Sequence, residues 1–145
     1  MLVSEEIRRI VTPPWTGDVD GMRFARLRAD LDAFVSGAHV GIASTPRGKP
    51  LTAFLARLAP PSDAVWDIRS RDPRPGIRVL GAFAGRDVFV ALVWSFRERL
   101  GGVESRQWRD LVERAKADWR TLFPTWPRHQ GERDDDFVSS NFTLF

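Results

Sequence analysis

Arginine is the residue type through which this sequence could do chemistry. Of its 22 basic residues 20 are arginine, and a guanidinium group binds phosphate in a bidentate manner and stacks on flat rings. Three of them, Arg69, Arg78 and Arg97, lie in or beside three apolar runs in the middle of the chain. A preference for arginine codons in a GC-rich genome would explain the number equally well, so the placement of these three residues is the more informative feature.

The three apolar runs, at 64–69, 76–84 and 87–96, predict an antiparallel meander. Each run is rich in β-branched and aromatic residues, as is typical of strands. The first connection, at 71–76, contains two prolines, which cannot donate hydrogen bonds to a sheet. The second is short enough for a two-residue hairpin loop at Gly85-Arg86.

The predicted hairpin assigns side chains to the two faces of the sheet. If Ala84 pairs with Asp87, the numbers of paired residues sum to 171, and side chains alternate between the faces. The apolar face then carries Trp66, Ile68, Ile77, Val79, Phe83, Val88, Leu92 and Trp94. The opposite face carries Val65, Asp67, Arg69, Arg78, Leu80, Ala82, Ala91, Val93, Ser95 and, one step further, Arg97. Three arginines from neighbouring strands therefore converge on one side.

Internal ion pairing is the alternative use for these arginines. The carboxylates available for such pairs in the sequence are those of Asp67, Asp72, Asp87 and Glu98. Both uses of the arginines stay open at this point.

Two long helices are predicted around the sheet. Asp18 or Asp20 can cap a helix that begins near Gly21 and ends at Gly37, although alternation within 25–33 also allows a strand. A second helix begins at a Glu104 or Ser105 cap and ends near Phe123. Its apolar stripe is made of Trp108, Leu111, Val112, Ala115 and Trp119.

The remaining segments give weaker signals. The segment 5–11 predicts a first strand or a short helix, 38–50 a loop, and 51–58 a short helix or turn. Together with the meander and the two long helices, these segments predict an α+β fold with a small antiparallel sheet.

A length of 145 residues predicts one globular domain, at 1–127, followed by a tail at 128–145. Residues 130–145 carry a net charge of −3 and the rest of the chain +6, which add to the total of +3. The tail is acidic first and hydrophobic at its end, so it is a solvated terminus, a strand docked on the body, or a cover for the basic surface. If the end at 142–145 covers the site, its deletion should raise activity.

Several functional classes lack support in the sequence. The chain has no cysteine and two histidines, which are not placed at metal-ligand spacing, so neither a metal nor a cofactor is predicted. No nucleophile elbow, phosphate-binding loop or dinucleotide-binding motif occurs. No apolar run reaches the length of about 20 residues that a membrane helix needs, and the first residues lack a signal-peptide core. We therefore expect a cytoplasmic protein without a membrane partner.

Three short motifs carry a resemblance to a known family. They are VWDIR at 65–69, GIRVL at 76–80 and SFRER at 95–99, followed by a helix. This pattern, over about residues 22–120, resembles the RelE/ParE toxin superfamily and most of all its HigB-like branch. The resemblance implies helices packed on one face of a small antiparallel sheet, with the site on the other face. It also implies a metal-independent endoribonuclease that cuts mRNA on translating ribosomes and is neutralised by a cognate antitoxin.

The same resemblance implies roles for individual arginines. Arg69, Arg78 and Arg97 take the positions of catalytic basic residues, which stabilise the charge that develops on the phosphoryl oxygens when a ribose 2′-hydroxyl attacks the adjacent phosphate. The predicted RNA-binding residues around them are Arg99, Arg71 and Arg74.

Two departures from the family pattern concern proton transfer. Leu80 and Gly81 stand where the family often has tyrosine, and Ser95 stands where it often has histidine. Arginine does not titrate near neutral pH, so the acid or base would be one of Asp67, Glu98 and a mobile His129. The family also contains gyrase inhibitors and inactive members, so the alternatives are a non-enzymatic inhibitor of a protein target such as gyrase and an inactive phage or mobile-element accessory protein.

Overall fold

The computed structural model describes residues 1–45 and 52–144, with the backbone alone for 143 and 144. Within these residues the chain forms seven strands, three α-helices and three short 3₁₀ turns. The strands are β1 (Leu2–Val3), β2 (Val40–Ala43), β3 (Leu55–Arg57), β4 (Trp66–Ser70), β5 (Ile77–Gly85), β6 (Val88–Phe96) and β7 (Phe142–Leu144). The helices are α1 (Glu5–Ile10), α2 (Val19–Val35) and α3 (Arg106–Leu122), and the 3₁₀ turns are Pro61–Asp63, Arg97–Arg99 and Asp134–Asp136.

All seven strands belong to one mixed sheet, in the order β1-β6-β5-β4-β3-β2-β7. The predicted meander is confirmed, because β4, β5 and β6 are antiparallel neighbours. Parallel pairs join β1 to β6, β2 to β3 and β2 to β7, so the sheet is mixed rather than purely antiparallel. The α+β class predicted from the sequence is confirmed.

The loop predicted at 38–50 and the short helix predicted at 51–58 are wrong in the residues that the structure describes. Strand β2 lies in the first segment and β3 in the second, while 46–51 lie outside the described residues. Strands this short give almost no periodicity in the sequence. They form because Ile42 and Leu55 pair with one another and are fully buried in the core, and such tertiary contacts override weak local preferences.

Side-chain caps begin the three helices where the sequence places suitable residues. The hydroxyl of Ser4 accepts the N–H of Ile7 at the start of α1, which settles 5–11 as a helix. The Asp18 carboxylate accepts the N–H of Gly21 in α2 at 2.8 Å, and the Ser105 hydroxyl caps α3. These caps satisfy backbone donors that have no partner within the helix.

The helices pack on both faces of the sheet, so the arrangement implied by the resemblance, with helices on one face, is wrong. The first face carries Trp66, Val79 and Phe83, which form a core with α1 and α2. The second face carries Leu80 and Ala82 towards the β5–β6 hairpin, where they form a separate core with α3. Because both faces of β5 are apolar at that end, each face needs its own cover.

The register of the β5–β6 hairpin differs from the predicted one. Gly85 pairs with Val88, so the loop is Arg86-Asp87 rather than Gly85-Arg86. Asp87 adopts a left-handed conformation with φ of 63°. Two hydrogen bonds hold it there: its N–H donates to the carbonyl of Phe137, and its carboxylate accepts the N–H of Ser139. The C-terminal segment therefore selects the loop, and the hairpin sequence alone does not reveal this.

A β-bulge divides the two strands into halves with different registers. From Ile77 to Leu80 the residue numbers of each pair sum to 173, two more than predicted, and from Gly81 to Phe83 they sum to 172. A shift of two keeps every side chain on its predicted face, so Arg78 stands opposite Ser95 on the second face. A shift of one reverses the faces, so Ala91 lies in the first core and Leu92 in the second, contrary to prediction.

The C-terminal segment from residue 128 packs on the body of the protein. The N–H of His129 donates to the carbonyl of Phe83, and Phe137 is fully buried against Trp66 and Phe83. Strand β7 then adds to the edge of the sheet beside β2. Of the alternatives for the tail, the described part of its hydrophobic end therefore docks on the body as a strand. Phe145 lies outside the described residues.

The bulge at Gly81 has no room for a side chain, which gives a stability prediction. A Cβ atom at Gly81 would lie 2.0 Å from the carbonyl oxygen of Val90, whereas one at Gly85 would meet nothing within 4 Å. We expect Gly81→Ala to lower the free energy of unfolding by about 1–3 kcal/mol and the control Gly85→Ala to change it by about 0.5 kcal/mol or less. Urea unfolding measures both, and equal stabilities of the two variants would contradict the bulge geometry.

Candidate anion-binding site

A group of arginines surrounds one buried carboxylate on the second face of the sheet. Arg69 on β4 and Arg78 on β5 stand directly opposite one another. The Oδ2 atom of Asp67 accepts a hydrogen bond of 3.1 Å from the Nε of Arg69 and another of 3.1 Å from the Nη1 of Arg78. The side chain of Asp67 is 2 % exposed and those of Arg69 and Arg78 are 12 % and 19 % exposed. The predicted convergence of these two arginines is thus observed, and so is their pairing with Asp67.

Arg71 and Arg97 complete this group, which we call the arginine cluster (Arg69, Arg71, Arg78 and Arg97 around Asp67). Arg97 begins the 3₁₀ turn after β6 rather than continuing the strand, and its Nη1 donates to the carbonyl of Leu100 at 2.5 Å. The Nη2 of Arg71 donates to the carbonyl of Ala53 at 2.6 Å. In the described part of the chain, neither Arg71 nor Arg97 forms an ion pair.

The arginine cluster carries an excess of positive charge. Four guanidinium groups around the one buried carboxylate leave a net charge of +3, and the exposed Asp72 and Arg74, which also act on the pKa of Arg71, carry opposite charges that cancel. The pKa of Arg78 is lowered to about 10, chiefly by burial; the charge of Asp67 raises it and the charges of Arg69, Arg97 and Arg71 lower it. Burial also lowers the pKa of Arg71, with the charges of Arg69 and Arg74 as further causes. These groups are charged at neutral pH and repel one another, so a bound anion would relieve the repulsion.

The other predicted RNA-binding residues lie at the margin of the cluster or outside it. Arg74 is exposed in the turn before β5, close enough to Arg71 to affect its pKa. Arg99 is not brought into the cluster. Its guanidinium lies 4.9 Å from the ring centre of Phe96, a core residue of the first face. Arg99 lines a cavity of about 440 Å³ together with Trp94 and Ser95.

The three predicted proton-transfer candidates are all held by other groups. Asp67 binds Arg69 and Arg78, and Glu98 forms an ion pair of 2.8 Å with Arg23. His129 is not mobile as predicted, because its ring packs on Phe137 and its Nε2 lies 2.9 Å from the carbonyl oxygen of Asp136.

His129 is also remote from the arginine cluster. Its backbone N–H binds the carbonyl of Phe83, which lies five residues beyond Arg78 on β5, or about 17 Å at the rise of an antiparallel strand. His39 lies just before β2, three strands away from β5 in the sheet. Histidine therefore supplies no proton acceptor to the cluster in the described structure.

A groove separate from the arginine cluster lies at the carboxyl end of α3, and no motif or periodicity in the sequence indicates it. Its central residue is Trp126, which stands between Pro124 and Pro127, outside the apolar stripe of the helix, and 58 % of it is exposed. A tryptophan in a proline-rich connection gives no periodic signal. The feature of the sequence that could have indicated a binding site here is the pair of arginines, Arg120 and Arg128, that flank Trp126.

Searches for similar proteins gave no match: no family model, no curated protein and no solved structure matches this chain. Across the described residues, no group of three or more histidine, aspartate or glutamate side chains is arranged to hold a metal ion. None of the helices in the same residues is long and apolar enough to cross a membrane.

The shared carboxylate of Asp67 gives a second stability prediction. Asp67→Asn keeps the size of the side chain but removes the negative charge that two poorly exposed guanidinium groups share. We expect it to lower the free energy of unfolding by about 3 kcal/mol. The control Asp32→Asn removes the partner of Arg28 in an exposed pair and should cost about 0.5 kcal/mol or less. Chemical denaturation compares the two, and an Asp67→Asn loss as small as that of the control would show that Asp67 does not hold the cluster together.

Proposed function

We propose that this chain is a toxin-type protein of the RelE/ParE kind that binds RNA at the arginine cluster and cleaves mRNA on translating ribosomes. The single observation that supports this proposal most is the excess of three positive charges on one partly buried patch of the sheet. A protein stabilises its own fold more simply with equal numbers of positive and negative groups. An unbalanced cluster is better suited to an anionic ligand, and a phosphodiester matches the planar fork of a guanidinium group.

The arrangement suits stabilisation of charge during cleavage. In the proposed reaction the ribose 2′-hydroxyl gives its proton to solvent water and its oxygen forms a bond to phosphorus. The bond from phosphorus to the 5′-oxygen breaks and this oxygen takes a proton from water, which leaves a 2′,3′-cyclic phosphate and a 5′-hydroxyl. Negative charge grows on the phosphoryl oxygens in the transition state, and fixed cations nearby lower its energy. Asp67 fixes Arg69 and Arg78, and the Leu100 carbonyl fixes Arg97, so little reorganisation is required on binding. The proposed partners are mRNA, the ribosome and a cognate antitoxin.

The non-enzymatic alternative is supported by a separate observation. The cluster has no tyrosine, since the chain contains none, and no histidine within the described residues. Arginine is a poor general base because it stays protonated at neutral pH. A protein that binds an anionic surface of a target, such as gyrase, without cutting RNA requires no proton acceptor.

Paired cluster variants separate the two proposals. Arg78→Lys keeps the charge beside Asp67 but removes the planar fork, and Arg97→Ala removes one cation that forms no ion pair with the residues that the structure describes. We expect the double variant to reduce RNA cleavage in cells by about 100-fold or more, as measured by RNA 5′-end mapping after induced expression. Arg86→Ala is the matched control, because Arg86 lies in the β5–β6 loop at the far end of β5.

The growth phenotype decides between the outcomes. Loss of both cleavage and growth arrest in the double variant, with both retained by Arg86→Ala, supports the endoribonuclease. Growth arrest that persists without any cleavage in wild type and variant alike would reject the nuclease and favour a protein target. Thermal unfolding of each purified variant shows whether the fold is intact.

Anion binding itself can be tested without a cellular assay. Sulfate keeps the same charge above pH 6, and its binding to the native state should raise the melting temperature, by roughly 2–6 °C for each kcal/mol. We expect this rise to be constant between pH 6 and pH 9. It should decrease as the pH passes about 10, because Arg78 loses its positive charge near that value, below the ordinary range of arginine.

The control for sulfate uses chloride at equal ionic strength and the Arg97→Ala variant. Sulfate also stabilises folded proteins in general by exclusion from their surfaces, and that effect is the same in both proteins. A rise that is identical in wild type and Arg97→Ala would show that the cluster binds no anion.

A further inference from the structure

We propose that the groove at the carboxyl end of α3 is a separate binding site for a nucleotide of single-stranded nucleic acid, with Trp126 stacking on the base and Arg120 and Arg128 binding the phosphate. This site is distinct from the arginine cluster. The groove has a volume of about 410 Å³, which is within the range of ligand-binding clefts.

Trp126 is exposed and yet held in place. Its indole Nε1–H donates to the carbonyl of Ala84 at 2.8 Å, and its own carbonyl accepts the indole N–H of Trp119 at 2.8 Å. Its backbone N–H donates to the carbonyl of Phe123. One side-chain and two backbone hydrogen bonds therefore hold Trp126, although 58 % of this residue is exposed. A ring that is already ordered loses little conformational freedom when a ligand stacks on it.

The floor of the groove is also aromatic. Trp119 is almost fully buried beneath it, and its ring centre lies 4.7 Å from that of Phe123. Aromatic side chains bind single-stranded nucleic acids by stacking on the bases, largely without regard to sequence. A fixed and exposed aromatic surface thus points to a ligand with a flat ring.

The charge of the groove selects an anionic ligand. Its lining includes Arg120 and Arg128 and contains no carboxylate. The Nε of Arg128 donates to the carbonyl of Asp63 at 2.6 Å, which anchors this side chain, while its two Nη groups have no hydrogen-bond partner within the described residues. Arg120 is exposed and forms no ion pair in the same part of the chain. Two cations beside a fixed indole match a nucleotide better than an apolar peptide.

The site lies at a useful distance from the arginine cluster. Trp126 binds Ala84, which is six residues from Arg78 along β5, or about 20 Å. The two sites thus lie at opposite ends of one strand, far enough apart for binding to one to be measured while the other is disabled.

The indole N–H signals of the full-length protein, observed by ¹⁵N NMR, provide a direct test. The signal of Trp126 is assigned by its absence in Trp126→Phe. AMP, adenosine and inorganic phosphate are titrated separately. We expect the Trp126 signal to shift in a saturable manner with AMP, more weakly with adenosine and not with inorganic phosphate. A shift with inorganic phosphate but not with AMP would show that the groove binds anions in general, and it would contradict the proposal. The absence of a shift with both AMP and a five-nucleotide RNA would also overturn it.

Variants establish which side chains bind. The Trp119 signal remains available in Trp126 variants, because its indole N–H binds the Trp126 carbonyl in the floor of the groove. We expect Trp126→Ala to weaken AMP binding by roughly 5- to 150-fold, and Trp126→Phe, which keeps a ring, to weaken it less. Arg120→Gln should weaken binding and make it less sensitive to salt. Leu122→Ala is the control, since Leu122 is exposed on the same helix end but does not line the groove.

Two further measurements distinguish nucleotide binding in the groove from the proposed cleavage at the arginine cluster and from peptide binding. AMP binding in the groove should be unchanged in Arg97→Ala, so that a failure of the endoribonuclease proposal leaves this one standing. A proline-rich peptide is titrated in parallel. If the peptide shifts the Trp126 signal and AMP does not, the groove binds protein, and the nucleotide proposal is wrong.

Discussion

The pairing of one buried carboxylate with two guanidinium groups is the interaction on which the second face of the sheet depends. Asp67 and Arg69 lie two residues apart on β4, and Arg78 stands opposite Arg69 on β5, so the register of this strand pair brings the three together. A displacement of β5 by one residue would turn Arg78 towards the core of the first face. The strand register and the ion pairs therefore support each other, because a buried guanidinium without its counter-charge would be strongly destabilising.

Strand β5 serves two purposes along its length. Towards the hairpin, Leu80 and Ala82 extend the apolar surface of the second face, and α3 covers them with a stripe that includes Trp108 and Trp119. Towards its start, Arg78 replaces apolar surface with charge. The same alternation of side chains thus builds a core at one end of the strand and a charged patch at the other. Hydrogen bonds to Asp67 hold the side chains of Arg69 and Arg78 in this patch.

The parts that could be predicted from the sequence are those for which local rules suffice. The meander, the caps at Asp18 and Ser105 and the shared face of Arg69 and Arg78 follow from composition and from the two-residue period of strands. The predicted face of Arg78 is correct although the predicted strand register is not, because the two registers differ there by two residues and an even shift keeps the faces. The bulge reversed the faces of Ala91 and Leu92, and the close approach of Gly81 to the Val90 carbonyl at this point is a contact between strands that the sequence does not reveal. Strands β2 and β3 are too short to show a period, and the choice of the hairpin loop depends on Phe137 and Ser139, about 50 residues away in the sequence.

Internal hydrogen bonds hold both the cations and the aromatic ring of the two candidate sites in fixed orientations before any ligand binds. Asp67 and the Leu100 carbonyl orient guanidinium groups, and the Ala84 carbonyl orients the indole of Trp126. Such groups bind and stabilise charge well, but they do not transfer protons near neutral pH. A ligand that needs to be held rather than protonated is a polyanion with flat rings, and single-stranded RNA combines both features. The proposed binding of RNA uses these fixed orientations directly, whereas the proposed cleavage also requires an acceptor for the 2′-hydroxyl proton.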